Sequence, residues 1–299
     1  MRVDAILSAD WHIREDQPLC WNKDYFEAQS TSVRYIRDLQ IKYRCPVLVA
    51  GDIFHKWNPS HALVSWAIDN FPKETYVIYG QHDQPAHNPE LISKSALNVL
   101  ATCEAVKVCR ESQLWSVVAN SFVYGLSYGD TTEIDINKSN FNALLLHRMT
   151  YKKVLPFPGC KDDNGTKLMK ELKGFDLILT GDNHKPFTIS KGKRLLVNPG
   201  SMMRMTAGQI KFKPRVYLWN RRTNSVIPSF IPQEKDAIHR DYIEKKKEHE
   251  ERISAFVSKM ANDRSEIGLS FESNLKKFIS TEKISKRVQK IIWSILDEC

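Results

Sequence analysis

The chain has six cysteines in 299 residues and no C-x-x-C pair among them. Thiols scattered in this way build neither a zinc knuckle nor a disulfide framework, and they suit a reducing cytosol. No apolar run approaches the roughly 18 residues that a membrane-crossing helix needs. The N-terminal VDAILSAD carries Asp4 and Asp10 and is too short for the apolar core of a signal peptide, so it reads as a first strand. A third absence is local. From Lys185 to Gln233 there is no Asp or Glu, against ten Lys or Arg residues, whereas from Glu234 onward 14 basic residues face 13 acidic ones. The net charge of +9 is therefore concentrated in one stretch. Two readings fit it: a solvated lysine-rich face, or a surface for an anionic polymer. On the second reading Lys185, Arg194, Arg204, Lys211, Lys213 and Arg215 contact nucleic acid, and Phe212, Tyr217 and Trp219 either stack on unpaired bases or pack in a strand core.

What is present is alternation. Short apolar runs at Val3–Leu7, Val47–Ala50 and Thr75–Tyr79 are separated by helix-length segments, Phe26 to Lys42 and Ser60 to Asn70, the order of βαβ units. Further runs at Phe122–Leu126, Ala143–Leu146, Leu177–Leu179, Leu195–Val197, Val216–Trp219 and Val226–Ile231 predict a second sheet in a mixed α/β body. Beyond Pro232 glycine and proline almost vanish. Within Thr281 to Glu298 apolar residues recur at helical spacing, so 233–299 reads as a helical extension that caps its own body or docks on a partner. The body itself, 1–232, includes a basic β-rich end at 185–232.

The strands end in polar residues of one kind. The first runs into Asp10-Trp11-His12, the second into Gly51-Asp52, the third into Gly80-Gln81-His82-Asp83; later runs meet His147 and then Gly181-Asp182-Asn183-His184. In an open α/β sheet the carboxyl ends of parallel strands share one edge, where ligands bind. Each ending alone is weak, since Asp is common in turns. Together they bring carboxylates and imidazoles to one place, a donor set for Mn, Fe or Zn. Two carboxylates about 4 Å apart repel by roughly 4 kcal/mol at an effective dielectric near 20, so convergence and cation binding go together.

These segments resemble those of the calcineurin-like metallophosphoesterases, which run D-x-H, G-D, G-N-H-D/E, H and G-H-x-H. Within that superfamily, GDIFHKWNPS (51–60) and NPGSMMR (198–204) are most similar to the Mre11/SbcD DNA-repair nucleases, a resemblance covering about residues 1 to 205. It implies a four-layer αββα sandwich. It also implies one metal held by Asp10, His12 and His184, a second held by His147, Asp182 and the Gln81 carbonyl, and Asp52 bridging both. His82 is then the catalytic histidine, with Asp83 orienting it and His55 a second imidazole near the phosphate. Gln81 stands where the pattern has Asn, and Asp182 where it has His. That exchange hardens the ligand set toward Mn²⁺ or Mg²⁺. The implied activity is metal-dependent hydrolysis of DNA by an exo- or endonuclease of repair or recombination, in the cytoplasm, nucleoid or nucleus. The implied partners are DNA, an SMC-like ATPase (Rad50/SbcC-like) and a second copy of the chain. A metallophosphatase acting on a phosphoprotein or small nucleotide shares the same metal core, and a catalytically weakened DNA-binding homologue fits the two departures.

Overall fold

A computed structural model describes residues 2–110, 115–118, 121–130, 134, 136, 140–155, 160, 163–239, 251–255, 271–282 and 284–297. The chain forms two compact units, Met1–His239 and Arg240–Cys299. The first holds two six-stranded sheets and a two-stranded one of β8 (Thr150–Tyr151) and β9 (Asp163–Asn164). One has the order β14 (Ser225–Phe230), β13 (Arg215–Asn220), β1 (Ala5–Ser8), β2 (Val47–Val49), β3 (Thr75–Val77), β4 (Lys107–Val108). The other has the order β11 (Phe187–Lys191), β12 (Arg194–Asn198), β10 (Leu177–Thr180), β7 (Phe141–Leu146), β6 (Ser121–Leu126), β5 (Trp115–Val118).

β1 through β4 pair in parallel, as do β6, β7, β10 and β12, so within each sheet these strands end at a common edge. Strand periodicity decides which side chains fill which layer. Ala143 and Leu145 of β7 and Leu177 and Leu179 of β10 join Ala5, Leu7, Leu48 and Tyr76 in the cluster between the sheets. The alternate residues Leu144, Leu146 and Ile178 pack on the other side with Leu168 and Met169 of α4 (Gly165–Glu171). Tyr217 and Trp219 also lie in the inter-sheet cluster, so their rings are core and are not free to stack on bases.

On the first sheet the crossovers are helices. α1 (Tyr25–Tyr43) starts where Asp24 accepts from the Glu27 N–H and stops where Arg44 turns left-handed at φ 49. Its buried stripe includes Val33, Ile36 and Leu39, each contributing about 1.5–3 kcal/mol of burial. α2 (His61–Asn70) is capped by Ser60 at the Leu63 N–H and buries Leu63 and Ala67. α3 (Ala96–Thr102) follows β3. None of these buried residues belongs to the inter-sheet cluster, so the helices cover the outer face and complete an αββα sandwich.

The second unit contains α5 (Phe271–Thr281) and α6 (Lys286–Asp297). The helix expected over 281–298 is thus shorter: Thr281 closes α5, Ile284 precedes α6, and Glu298 lies outside the described residues, as do 240–250 and 256–270. Among the described residues no helix is long and apolar enough to cross a membrane.

Candidate metal centre

The strand ends bring their polar residues together across the two sheets. Asp10, Asp52 and His147 offer ligand atoms within 4.8 Å of one another, and so do Asp10, His12 and His184. A third such group is His12, His55 and His82. Asp10, His12, Asp52 and His147 are buried, while Gln81, His82 and His184 are half-exposed.

The backbone is bent to achieve this. Asp10, His12, Asp52 and Asp182 have φ of 49, 47, 51 and 73, a left-handed region that non-glycine residues rarely adopt. Strain of this kind persists where the surroundings over-determine it. Gly51, at φ 83, and Gly80 show the crowding. A Cβ on Gly51 would meet the His147 ring at 2.3 Å, and one on Gly80 would meet the Asp52 carboxylate at 2.0 Å. The glycines of the G-D and G-Q-H-D segments let two stretches of the chain close on the Asp52 carboxylate and the His147 imidazole.

Each side chain is oriented by a second contact. The His147 Nδ1–H donates to the Ala50 carbonyl at 2.6 Å, which turns Nε2 toward Asp52 Oδ2, 3.5 Å away. Asp52 Oδ1 accepts from the His82 N–H at 2.9 Å. The His12 and His184 Nε2 atoms face each other at 3.2 Å, as nitrogens do when they share a proton or a cation. The His82 Nδ1–H donates to the His55 carbonyl at 2.8 Å, and the two rings stack 5.4 Å apart.

Asp83 is placed differently from expectation. Its carboxylate accepts from the backbone N–H groups of Ile53, Phe54 and Gly80, at 3.1, 3.0 and 3.0 Å, and it is fully buried. It therefore ties the end of β2 to the end of β3, and the His55 carbonyl rather than Asp83 sets the His82 ring. The C-terminal motif positions also diverge. Asp182 is in none of the three ligand groups; its Oδ1 accepts from Gln81 Nε2 at 2.7 Å. The two positions at which the chain departs from the motif pattern are in contact with each other.

The residues fit divalent cations. Asp10 Oδ2, Asp52 Oδ2, His147 Nε2 and Gln81 Oε1 are buried and have no hydrogen-bond partner among the described residues. A buried acceptor without a partner is costly unless something positive occupies the space between. Electrostatics agrees. Burial drives the Asp10 carboxyl well above its usual range, with Asp52 adding to the rise. Burial alone would raise Asp52 too, but His147 and His12 hold it well below the usual carboxylate range. Burial would lower His147, yet Asp52 above all lifts it to about 10. The cluster lacks positive charge and would borrow protons to find it. Burial keeps His12 and His184 below their ordinary values, so both present neutral nitrogens. His55 is pushed down to about 4 by burial, with Arg14 and His82 adding.

The basic stretch behaves less uniformly. Lys185, Lys211 and Lys213 are exposed. Arg194 is not available as a surface contact: its guanidinium donates to the Phe175, Met169 and Leu172 carbonyls around the end of α4. Arg204 is buried, donates to the Ile210 and Glu234 carbonyls and lies over the Trp21 ring. Arg215 stacks on Phe230. Sequence reading missed these inward turns, because nothing in a cation's neighbours along the chain marks a carbonyl cluster elsewhere in the fold.

A family model for the calcineurin-like phosphoesterase superfamily domain matches residues 5–214. Among solved structures, TT1561 of Thermus thermophilus aligns with a TM-score of 0.50 at 12% identity, covering 78% of this chain and 100% of that one. An archaeal phosphodiesterase aligns with a TM-score of 0.40 at 12% identity, over 76% of this chain and 98% of that one. The likeness to TT1561, at that identity, speaks to the fold alone. Comparison with curated proteins gives no match. The family match spans most of the two-sheet body and every strand-end residue from Asp10 to His184, and on that basis the chain belongs to the calcineurin-like phosphoesterase superfamily, hydrolases that use divalent metals.

Proposed function

We propose that the chain is a two-metal phosphodiesterase that hydrolyses DNA, with Mn²⁺ the preferred ion. The observation that carries the hydrolytic part is the convergence of Asp10, Asp52 and His147 on one side and Asp10, His12 and His184 on the other, with partnerless acceptor atoms between them. Asp10 belongs to both groups, and Asp52, whose carboxylate lies 3.4 Å from His12 and 3.5 Å from His147, faces a histidine of each. Divalent cations held there would lower the pKa of a bound water from 15.7 toward about 7 and so supply a nucleophile at neutral pH.

The chain's own residues do the rest. His147 and Asp52 stay fixed because each is hydrogen-bonded on its far side, so little reorganisation accompanies reaction. His82 commits its Nδ1–H to the His55 carbonyl, so that in the imidazolium form the Nε2–H is the proton given to the departing sugar oxygen. His55, neutral at pH 7, stacks beside it and offers a polar edge to the phosphate without adding charge. Exposed Lys185, Lys211 and Lys213, in a stretch without carboxylates, support phosphodiester backbone contacts of the kind that position DNA without reading its sequence. An SMC-like ATPase, and a second copy of the chain, are the protein partners that fit this reading.

Labelled single- and double-stranded DNA incubated with Mn²⁺, beside the Asp52→Ala protein, tests it. Cleavage by the wild type alone is the expected result. Cleavage of phosphopeptides or mononucleotides with DNA left intact would assign the same centre to a phosphatase instead.

A further inference from the structure

Gln81 and Asp182 stand 101 residues apart in sequence and meet through one hydrogen bond of 2.7 Å between Gln81 Nε2 and Asp182 Oδ1. An ionised carboxylate has no proton to donate, so it can only accept. The amide is therefore turned with its NH₂ toward Asp182, and the other end of the amide is left over. That end, Gln81 Oε1, is buried and has no hydrogen-bond partner among the described residues. It sits one residue before His82, whose N–H is bonded to Asp52. Asp182 is itself held: its own N–H donates to Asp10 Oδ1 at 2.9 Å, and its backbone is left-handed at φ 73. Yet Asp182 belongs to none of the groups of close ligand atoms, whereas Asp10, Asp52 and His147 form one.

We propose that Asp182 is a positioning residue rather than a cation ligand: it fixes the Gln81 amide so that Oε1 becomes the neutral oxygen ligand completing the Asp10–Asp52–His147 cation position. This rests on the metal reading above. An acceptor-only partner decides an orientation that a free glutamine, with two similar ends, would leave open. It also keeps its negative charge on the far side of the Gln81 amide from the cation, where it strengthens the amide dipole without occupying a coordination place.

Two measurements on the full chain test this. In crystals of the Mn²⁺ complex, Gln81 Oε1 is expected at roughly 2.2 Å from one ion, an ordinary oxygen–cation length, with both Asp182 oxygens beyond coordination distance; an Asp182 oxygen at that length overturns the proposal. In calorimetric Mn²⁺ titrations, Asp182→Asn, whose amide can meet Gln81 in either orientation, is expected to weaken one of two cations about 10–100-fold. Gln81→Met should weaken the same cation, and the double variant should be no worse than Gln81→Met. Unchanged affinity in Asp182→Asn, or losses that multiply in the double variant, would refute the coupling. The other cation's affinity and the melting temperature of metal-free protein, both expected to match wild type, separate loss of the ligand from loss of the fold. If wild-type protein binds no Mn²⁺, the metal reading itself falls.

Discussion

The strand ends and the basic stretch are both clusters of charged residues in the sequence, and the fold treats them in opposite ways. Asp10, Asp52, His147 and His184 arrive from separate segments and converge. Lys185, Arg194, Arg204, Lys211 and Arg215 lie within one segment and disperse, some to solvent and some into hydrogen bonds with backbone carbonyls. A residue just beyond a parallel strand is placed by topology, whatever its neighbours, because the sheet fixes where the strand stops. A long cationic side chain, whether on a loop or at the start of a strand, is placed by whichever acceptors lie within its reach. Convergence therefore signals a shared task, and proximity along the chain does not.

Variants sharpen that contrast. The largest effect is expected from Asp52→Ala, which removes the carboxylate facing both His12 and His147. Hydrolysis should fall to background and Mn²⁺ uptake at both positions should disappear; retention of two ions would mean that the strand ends merely neighbour one another. Next, His82→Asn should lower kcat about 10²–10⁴-fold, the usual worth of a general acid, while calorimetry still finds both ions. Loss of metal in that variant would move His82 into the ligand set.

A pH dependence follows from His147. Its pKa is lifted to about 10 without a cation, and its Nδ1 is committed to Ala50, so the proton to be displaced is on Nε2, the ligand atom. Mn²⁺ affinity should then rise about tenfold per pH unit from 6 to 9, with a proton released to buffer. The metal-free fold has the opposite dependence. A raised histidine pKa contributes stability that is complete below about 6.5 and is lost as pH climbs through about 10. Affinity that is flat with pH would show that His147 is already neutral.

Much of this was legible beforehand because it depends on order and period. The βαβ alternation, the strands β1, β2, β3, β6, β7, β10, β12, β13 and β14 and the polar strand ends follow from apolar runs and what interrupts them, whereas β4, β5 and β11 had no such run to mark them. The Ser60 cap and the inward Tyr217 and Trp219 obey the same local rules. What was not legible joins distant segments: the Gln81–Asp182 bond and the Asp83 clamp on Ile53 and Phe54. No periodicity in the chain encodes a hydrogen bond across 101 residues.

The smallest effects discriminate most finely, because they separate two cations that look alike in sequence. Arg194 donates to three carbonyls at the end of α4, and its loss leaves them without their charged partner. Arg194→Ala should destabilise the protein by about 2–3 kcal/mol, read as a lower midpoint in urea, and leave the salt dependence of DNA binding as it was. Lys213 is exposed, so Lys213→Ala should change stability by no more than about 0.5 kcal/mol. If it neutralises a phosphate, the slope of log affinity against log salt on duplex DNA should fall by about 0.9. The two substitutions remove the same formal charge from the same acid-free stretch. Similar stability losses in both would mean that the fold had not sorted these cations, and a salt slope unchanged in both would leave the basic stretch as nothing more than a solvated face.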